Sequence, residues 1–136
     1  DLLLADLERE WLQQLREMLA GDATPVLYSS RGELGFASLP QRRHFSLQLA
    51  QVMARLAAAL APDLGYLISK GGTTTQTLLS KGLGLTAVQL EGQLLPGLSL
   101  VRPSEGRNAG LPILTFPGNL GSADTLRDAW QRMEAG

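Results

Sequence analysis

Two glycine-rich turns in this sequence have residue types and spacing that suit phosphate binding. In each, a short apolar run leads through glycines into a predicted helix: residues 68–74 read ISKGGTT, and residues 115–121 read TFPGNLG. Glycine lets the backbone bring its N–H groups close to a ligand, and a helix start leaves N–H groups unpaired beside a partial positive charge. A polyphosphate held by both turns is the ligand that this design favours. The candidate residues are Gly71, Gly72, Thr73, Thr74, Gly118, Asn119 and Gly121.

The same turns also have a purely structural interpretation. Strand-to-helix turns commonly contain glycine and are capped by Ser or Thr, so Thr73 or Thr74 would be an N-cap, and Ser122 likewise for the last helix. Neither turn matches GxxxxGK[ST] or GxGxxG. Asp124, close to the second helix start, would repel a phosphate there. From these residues alone, a phosphate site and an ordinary pair of turns both remain open.

Other polar residues give weaker signals. Lys70 is placed to reach a phosphate, although a lysine at a strand end is commonly just solvated. His44 is the only histidine and the chain has no cysteine, so we predict no protein-held metal site. Glu91 is expected in a solvent-facing turn. The spacing defines no Ser-His-Asp triad and no carboxylate pair, so the catalytic residues stay unknown at this stage.

Composition narrows the class of protein. The chain has 136 residues, 44% of them hydrophobic and 18% charged, which is typical of one globular domain. The net charge of -1 gives no basic field that would attract nucleic acid or an acidic membrane. The absence of cysteine excludes a disulfide scaffold and fits a cytoplasmic location. The start at Asp1 suggests that residues upstream are missing.

Hydrophobic periodicity predicts alternating helices and strands. Helices are expected from the start to Gly21, from Arg42 to Leu60, from the first turn to Lys81, and after the second turn. Strands are expected at 25–29, 64–69, 86–90, 98–102 and 111–116, with a turn at Glu91-Gly92. The tryptophans and methionines fall on apolar helical stripes and are predicted to be core residues.

This order predicts an α/β fold. Strands joined by crossover helices favour a three-layer α/β/α domain with a mostly parallel sheet, here with a β-rich insertion at about residues 86–116. No linker or internal repeat divides the chain, so residues 1–136 are predicted to form a single domain. In such a sheet both glycine turns would lie at the carboxyl ends of strands, where ligands usually bind.

Three segments of the second half resemble the four-carbon acid sugar kinase family, long catalogued as a domain of unknown function. They are GGTTTQTLLSKGLGL, VQLEGQLLPGLSLV and LPILTFPGNLGSADTL, in the order and spacing of that family's C-terminal nucleotide-binding domain. The resemblance covers residues 64 to 134. It implies that Gly71 to Thr74 form the first phosphate turn, that Gly118 contacts the nucleotide, and that Pro96-Gly97 have an architectural role.

The resemblance also implies an activity. The family phosphorylates four-carbon sugar acids such as threonate or erythronate with ATP, so ATP, with Mg²⁺ bound to it, is the expected cofactor. An N-terminal domain, absent from this chain, would bind the sugar acid and supply the catalytic groups. The chain alone is therefore expected to be inactive. Nucleotide and sugar acid are the expected partners, a homo-oligomer is compatible with the sequence, and no nucleic acid or membrane partner is expected.

The sequence departs from the family pattern at several positions. Thr73 stands where the family usually has Asp or Glu, and Phe116 stands where a lysine is common. Pro117 and Asn119 replace Ser and Gly. Losing a cation near developing phosphate charge weakens catalysis more than binding. The alternative interpretation is therefore a non-catalytic α/β module that binds a nucleotide or a phosphorylated metabolite. A third is a purely structural or interaction domain, in which the glycine turns are only turns.

Overall fold

The computed structural model of the chain describes residues 2–27, 39–85, 88–116 and 124–135. Its helices are α1 (Leu2–Ala20), α2 (Leu39–Leu60), α3 (Gly72–Thr77) and α4 (Thr125–Ala135). A 3₁₀ turn (Ala61–Asp63) follows α2, and a π-helical turn (Leu78–Gly82) continues α3. The strands are β1 (Leu67–Lys70), β2 (Gln89–Leu95), β3 (Leu98–Arg102) and β4 (Ile113–Phe116). No helix in these ranges is long and apolar enough to cross a membrane.

The four described strands form one sheet in the order β1-β4-β3-β2. Strands β1 and β4 are parallel, with Leu67 opposite Ile113 and Lys70 opposite Phe116. Strand β3 pairs antiparallel with β4, and β2 pairs antiparallel with β3. The α/β class and the β-rich segment are confirmed. The described sheet is mixed rather than mostly parallel, because the hairpin β2–β3 places two antiparallel pairings beside the one parallel pairing.

Helices cover both faces of this sheet. In-register residues share a face, and neighbours along a strand alternate between faces. On one face, Val101 and Ile113 are buried against Ala61 and against Leu79 and Leu83 of the π-helical turn and its end. On the other face, the buried side chains of β3 and β4 pack against α4. They are Leu98, Leu114 and Phe116, in contact with Ala129 and Met133. The three-layer arrangement expected from the sequence is present in the described residues.

Helices α1 and α2 pack on each other through the apolar stripes predicted for them. Leu15 of α1 is buried with Val52, Leu56 and Leu60 of α2, which recur at steps of four residues. Each of these side chains contributes about 1.5–3 kcal/mol by leaving water. Gly21 directly follows α1, as expected. The prediction that the tryptophans and methionines are core residues was wrong for Met18 and Trp130, which are 43% and 39% exposed.

Two predicted elements differ from the structure. We expected a turn at Glu91-Gly92, but β2 continues through it and the hairpin turns at Pro96-Gly97. Gly97 has φ 81°, which glycine adopts readily, while Gly92 lies at a shift in the β2–β3 register. Of the strand predicted at 25–29, residues 25–27 are not a strand, and 28–29 lie outside the described residues together with most of the loop that follows.

Candidate functional site

A crevice lined by Gly71, Thr115 and Phe116 lies at the carboxyl ends of the two parallel strands. Strand β1 continues into α3, which lies on the α2 side of the sheet. On the opposite face, α4, the next described helix after the neighbouring strand β4, packs on the sheet. Open α/β sheets commonly bind ligands outside the carboxyl ends of such strands. The predicted turn at Gly71 lies at this crevice.

Gly71 makes the sharp exit from β1. Its φ and ψ are 104° and 137°, a conformation that residues with a Cβ rarely adopt. Its N–H donates to the Phe116 carbonyl at 3.1 Å, which extends the parallel pairing by one bond. Its carbonyl accepts the N–H of Thr75 at 3.0 Å, the first hydrogen bond of α3. One residue thus joins both strands and the helix start.

The N-cap of α3 is Gly71, with Gly72, Thr73 and Thr74 in the first helical turn. The interpretation of Thr73 or Thr74 as the N-cap was therefore wrong. Glycine has no side chain that could accept a hydrogen bond from the first-turn N–H groups, which commonly need a partner from outside the helix. Because the N-cap is glycine, these amides lack the Ser, Thr or Asp side-chain oxygen that commonly accepts their hydrogen bonds.

A hydrogen-bonded pair of hydroxyls joins α3 to β1. Ser69 is 5% exposed, and its Oγ lies 2.8 Å from Oγ1 of Thr75. Sequence reasoning missed both residues. A signal for Ser69 does exist: it is a small polar residue two positions after Leu67 in an apolar strand, on the same face, at the end nearest the turn.

The hydroxyl of Ser69 begins a polar row across the sheet. Ser69 lies opposite Thr115 of β4, and Thr115 lies opposite Ser99 of β3. Thr115 Oγ1 donates to the Ser99 carbonyl at 3.3 Å. Further along the same face, toward the amino end of β4, the positions are apolar. The polar row therefore marks the end of the sheet where the crevice opens.

The cavity that forms this crevice has a volume of about 430 Å³, is widely open to solvent, and lies over this row on the α3 side of the sheet. This volume falls within the roughly 300–1,000 Å³ typical of small-molecule sites. Gly71 lines it, so the cavity begins at the candidate phosphate turn. The full lining of the cavity is Gly71, Thr75, Gln76, Leu79, Gly97, Ser99, Thr115 and Phe116.

Lys70 and Phe116 lie together on the opposite, α4 face. Phe116 is 2% exposed and packs in the core, so its side chain presents nothing to a ligand. Lys70 is exposed, and its Nζ lies 6.0 Å from the centroid of the Phe116 ring, at the outer limit of a cation–π contact. The ammonium group of Lys70 therefore stays in solvent beside the end of β1.

The second predicted turn lies outside the described residues, and with it Gly118, Asn119, Gly121 and the suggested cap Ser122. The structure therefore does not test whether the two turns come together. His44 is exposed on α2, at a distance in sequence from both turns. Within the described ranges, no group of three His, Cys, Asp or Glu side chains is placed to hold a metal ion.

Comparison with known proteins adds a family assignment to this geometry. The family model for nucleotide-binding C-terminal domains matches residues 3–126. The chain belongs to this family. Nucleotide binding is thus the function that goes with this family of domains. No curated protein matches the sequence significantly.

This chain is similar to two solved structures. Both are crystal forms of a domain of unknown function (DUF1537) from Bordetella bronchiseptica, with bound citrate, as a domain-swapped dimer. One aligns with 96% of this chain at 26% identity and a TM-score of 0.70. The other aligns with 92% at 21% identity and a TM-score of 0.68, and supports the fold alone. This chain spans 30% of the length of each matched chain.

Proposed function

We propose that this chain is the nucleotide-binding portion of an ATP-dependent kinase of the four-carbon acid sugar kinase type. The observation that carries the proposal is the crevice at the ends of β1 and β4, with the glycine N-cap of α3 at its edge. Membership of a nucleotide-binding C-terminal family supports the ligand class. The resemblance of three segments to the sugar acid kinases supports the reaction class.

In this proposal the turn at Gly71 to Thr74 binds the phosphates of ATP or ADP. Backbone N–H groups at the start of α3 donate to phosphate oxygens, where the helix dipole adds about 0.3–1 kcal/mol for each charge. Gly118, Asn119 and Gly121 would complete the site from the second turn. Lys70 is close enough to the same strand end to add a positive charge. Positioning and charge stabilisation are the contributions that phosphoryl transfer requires of a protein.

Mg²⁺ would enter with the nucleotide. The turn from β1 to α3 contributes glycine and threonine but no carboxylate, because position 73 is threonine. Mg²⁺ in nucleotide sites is commonly bound by substrate phosphates and water together with one or two carboxylates. The first turn therefore does not fit a metal site built by the protein.

The catalytic groups and the sugar acid site belong, in this proposal, to a further domain of a longer, two-domain cytoplasmic protein. The matched chains are more than three times as long as this one, which is compatible with such a domain. The same matches are domain-swapped dimers with bound citrate, a small carboxylic acid. A homo-oligomer that acts on a small hydroxy acid is consistent with both features.

The second candidate is a nucleotide-binding module without catalysis. The departures from the kinase pattern favour it: Thr73 replaces an acidic residue, and the buried Phe116 replaces a lysine. Lys70 at the same strand end could offset the second loss but not the first.

Titration calorimetry with ADP, with and without Mg²⁺, tests the nucleotide proposal. We expect binding in the micromolar to millimolar range and no phosphorylation of threonate or erythronate when ATP is supplied to this chain. Turnover of either sugar acid by the longer protein would favour the kinase over the binding module. Absence of ADP binding at millimolar concentration would overturn both.

A further inference from the structure

We infer that the cavity on the α3 side of the sheet binds the nucleoside part of the nucleotide, with Ser99 and Gln76 as the residues that recognise it. This inference rests on the proposed function and deepens it. It assigns the phosphates to the turn and the uncharged half of the ligand to the cavity next to it.

The position of the cavity makes it continuous with the phosphate turn. Gly71 is both the N-cap of α3 and part of the cavity lining. Thr75 and Gln76, one helical turn further on, form the next part of the same wall. A ligand with its phosphates at the first-turn amides can therefore extend along α3 into the cavity without crossing the sheet.

The chemistry of the lining selects an uncharged group. All the lining side chains that the structure describes are neutral, and Leu79 adds an apolar surface. A carboxylate or a phosphate commonly needs a partner charge or several donors in its site, and this lining supplies no charged side chain. A purine base and ribose, by contrast, combine an apolar ring face with a few polar edges. The cavity thus suits a nucleoside better than a sugar acid.

Two polar side chains remain available for recognition. The hydroxyl of Thr75 is paired with Ser69, and that of Thr115 donates to the Ser99 carbonyl. The Ser99 hydroxyl and the Gln76 carboxamide make no hydrogen bond to another group within the part of the chain that the structure describes. Both residues line the cavity, Ser99 from β3 and Gln76 from α3. Together they offer donors and acceptors to the ribose or the base edge.

Nuclear Overhauser contacts with bound ADP test this placement directly. In the ADP-saturated chain we expect contacts from the base and ribose protons to the methyl groups of Leu79 and Thr115. If ADP binds but its base shows no contact with these methyl groups, the inference is wrong while the proposed function stands. If ADP does not bind at all, both are wrong.

Substitutions provide the second readout. Ser99→Val removes the hydroxyl at a strand position that favours β-branched residues, and Gln76→Ala changes an exposed helical position with little risk to the fold. Each is expected to weaken ADP binding about tenfold, the loss of one hydrogen-bonding group to a ligand. The matched control is Gln93→Val, opposite Ser99 on β2 but outside the cavity, which should leave affinity within about twofold. Unchanged ADP affinity in both cavity variants would overturn the inference.

Discussion

Gly71 is the residue on which the candidate site depends. Its positive φ lets β1 turn directly into α3, and its lack of a side chain leaves the first-turn amides open. The space around it is not the constraint, because a Cβ there would lie 3.7 Å from Oγ1 of Thr74, an ordinary contact. The constraint is the backbone conformation itself.

Gly71→Ala should therefore strain the turn. We expect a loss of about 1–3 kcal/mol in the free energy of unfolding, the usual cost of a residue held in a region that only glycine favours. ADP affinity should fall as well, because the turn relaxes and moves the amides. Urea denaturation and ADP titration measure the two effects.

Gly65→Ala is the matched control for this substitution. Gly65 precedes β1 by two positions and lacks a positive φ, and a Cβ added there would meet no atom within 4 Å. The substitution should change stability and ADP affinity little. Equal effects at positions 65 and 71 would contradict the role given to the Gly71 backbone.

At the residue scale, the sequence predicted the position of the first turn but not how it is held. Glycine and threonine after an apolar run were enough to locate Gly71 to Thr74. The pairing of Ser69 with Thr75 was missed because it depends on how α3 folds back on β1, a tertiary contact six residues apart. The identity of the N-cap depended on a glycine conformation that sequence alone does not fix.

Among the elements, α2 and the π-helical turn approach each other most closely at Gly82. A Cβ at this position would lie 2.6 Å from the Ala54 carbonyl oxygen, a backbone atom that cannot move aside by rotation. The close approach holds the segment after α3 against α2 and so supports the end of the candidate site.

Gly82→Ala should push these two elements apart. We expect a destabilisation of about 1–3 kcal/mol or more, as for other overpacked sites. Gly21→Ala is the control, because a Cβ there meets its nearest atom at an ordinary 3.5 Å. Thermal unfolding of both variants distinguishes the outcomes. A Gly82→Ala protein as stable as the control would show that the contact is not tight.

A side-chain network ties α4 to the opposite end of β1. Tyr66, just before the strand, donates its hydroxyl to Glu134, and Thr24 donates to the same carboxylate at 3.4 Å. Trp130 Nε1 donates to Thr24 Oγ1 at 3.2 Å. The network explains why Trp130 lies at the surface rather than in the core. It fixes the carboxyl-terminal end of α4, the helix that follows the second predicted turn.

Because of this network, the stability of the protein at alkaline pH is expected to depend on the Tyr66 phenol. Partial burial, followed by the hydrogen bond to Glu134, raises the pKa of the Tyr66 phenol above its usual value. Its contribution is therefore complete below about pH 10, the pKa in the unfolded chain, and is lost as pH rises through the higher folded value. We expect melting temperature to fall more steeply above pH 10 in the wild type than in Tyr66→Phe. Parallel pH profiles would contradict this.

Hydrophobic periodicity predicted the helices well and the strand ends less well. The stripes of α1 and α2 were recognisable because apolar residues recur at steps of three and four. The β2–β3 hairpin was misplaced because Glu91-Gly92 resembles a turn signal, whereas Gly92 accommodates an irregularity within a strand. A local glycine does not reveal whether a chain turns or bulges, since that depends on the partner strand.

For the whole molecule, the α/β class and the covering of both sheet faces followed from the alternation of helices and strands. The alternation did not predict the mixed order of the strands, because that order depends on which edge of the sheet receives the hairpin. The crevice between β1 and β4 results from this topology. Family membership supports nucleotide binding, and we propose the turn at Gly71 as the place where the phosphates bind.

The most direct test of this account follows the backbone amide signals of the chain by NMR during titration with ADP, with and without Mg²⁺. We predict shifts centred on Gly71 to Thr74 and on Gly118 to Gly121, with smaller ones along the cavity at Gln76 and Ser99. Shifts confined to other parts of the molecule, or none at millimolar ADP, would contradict the assignment of the nucleotide site to this crevice.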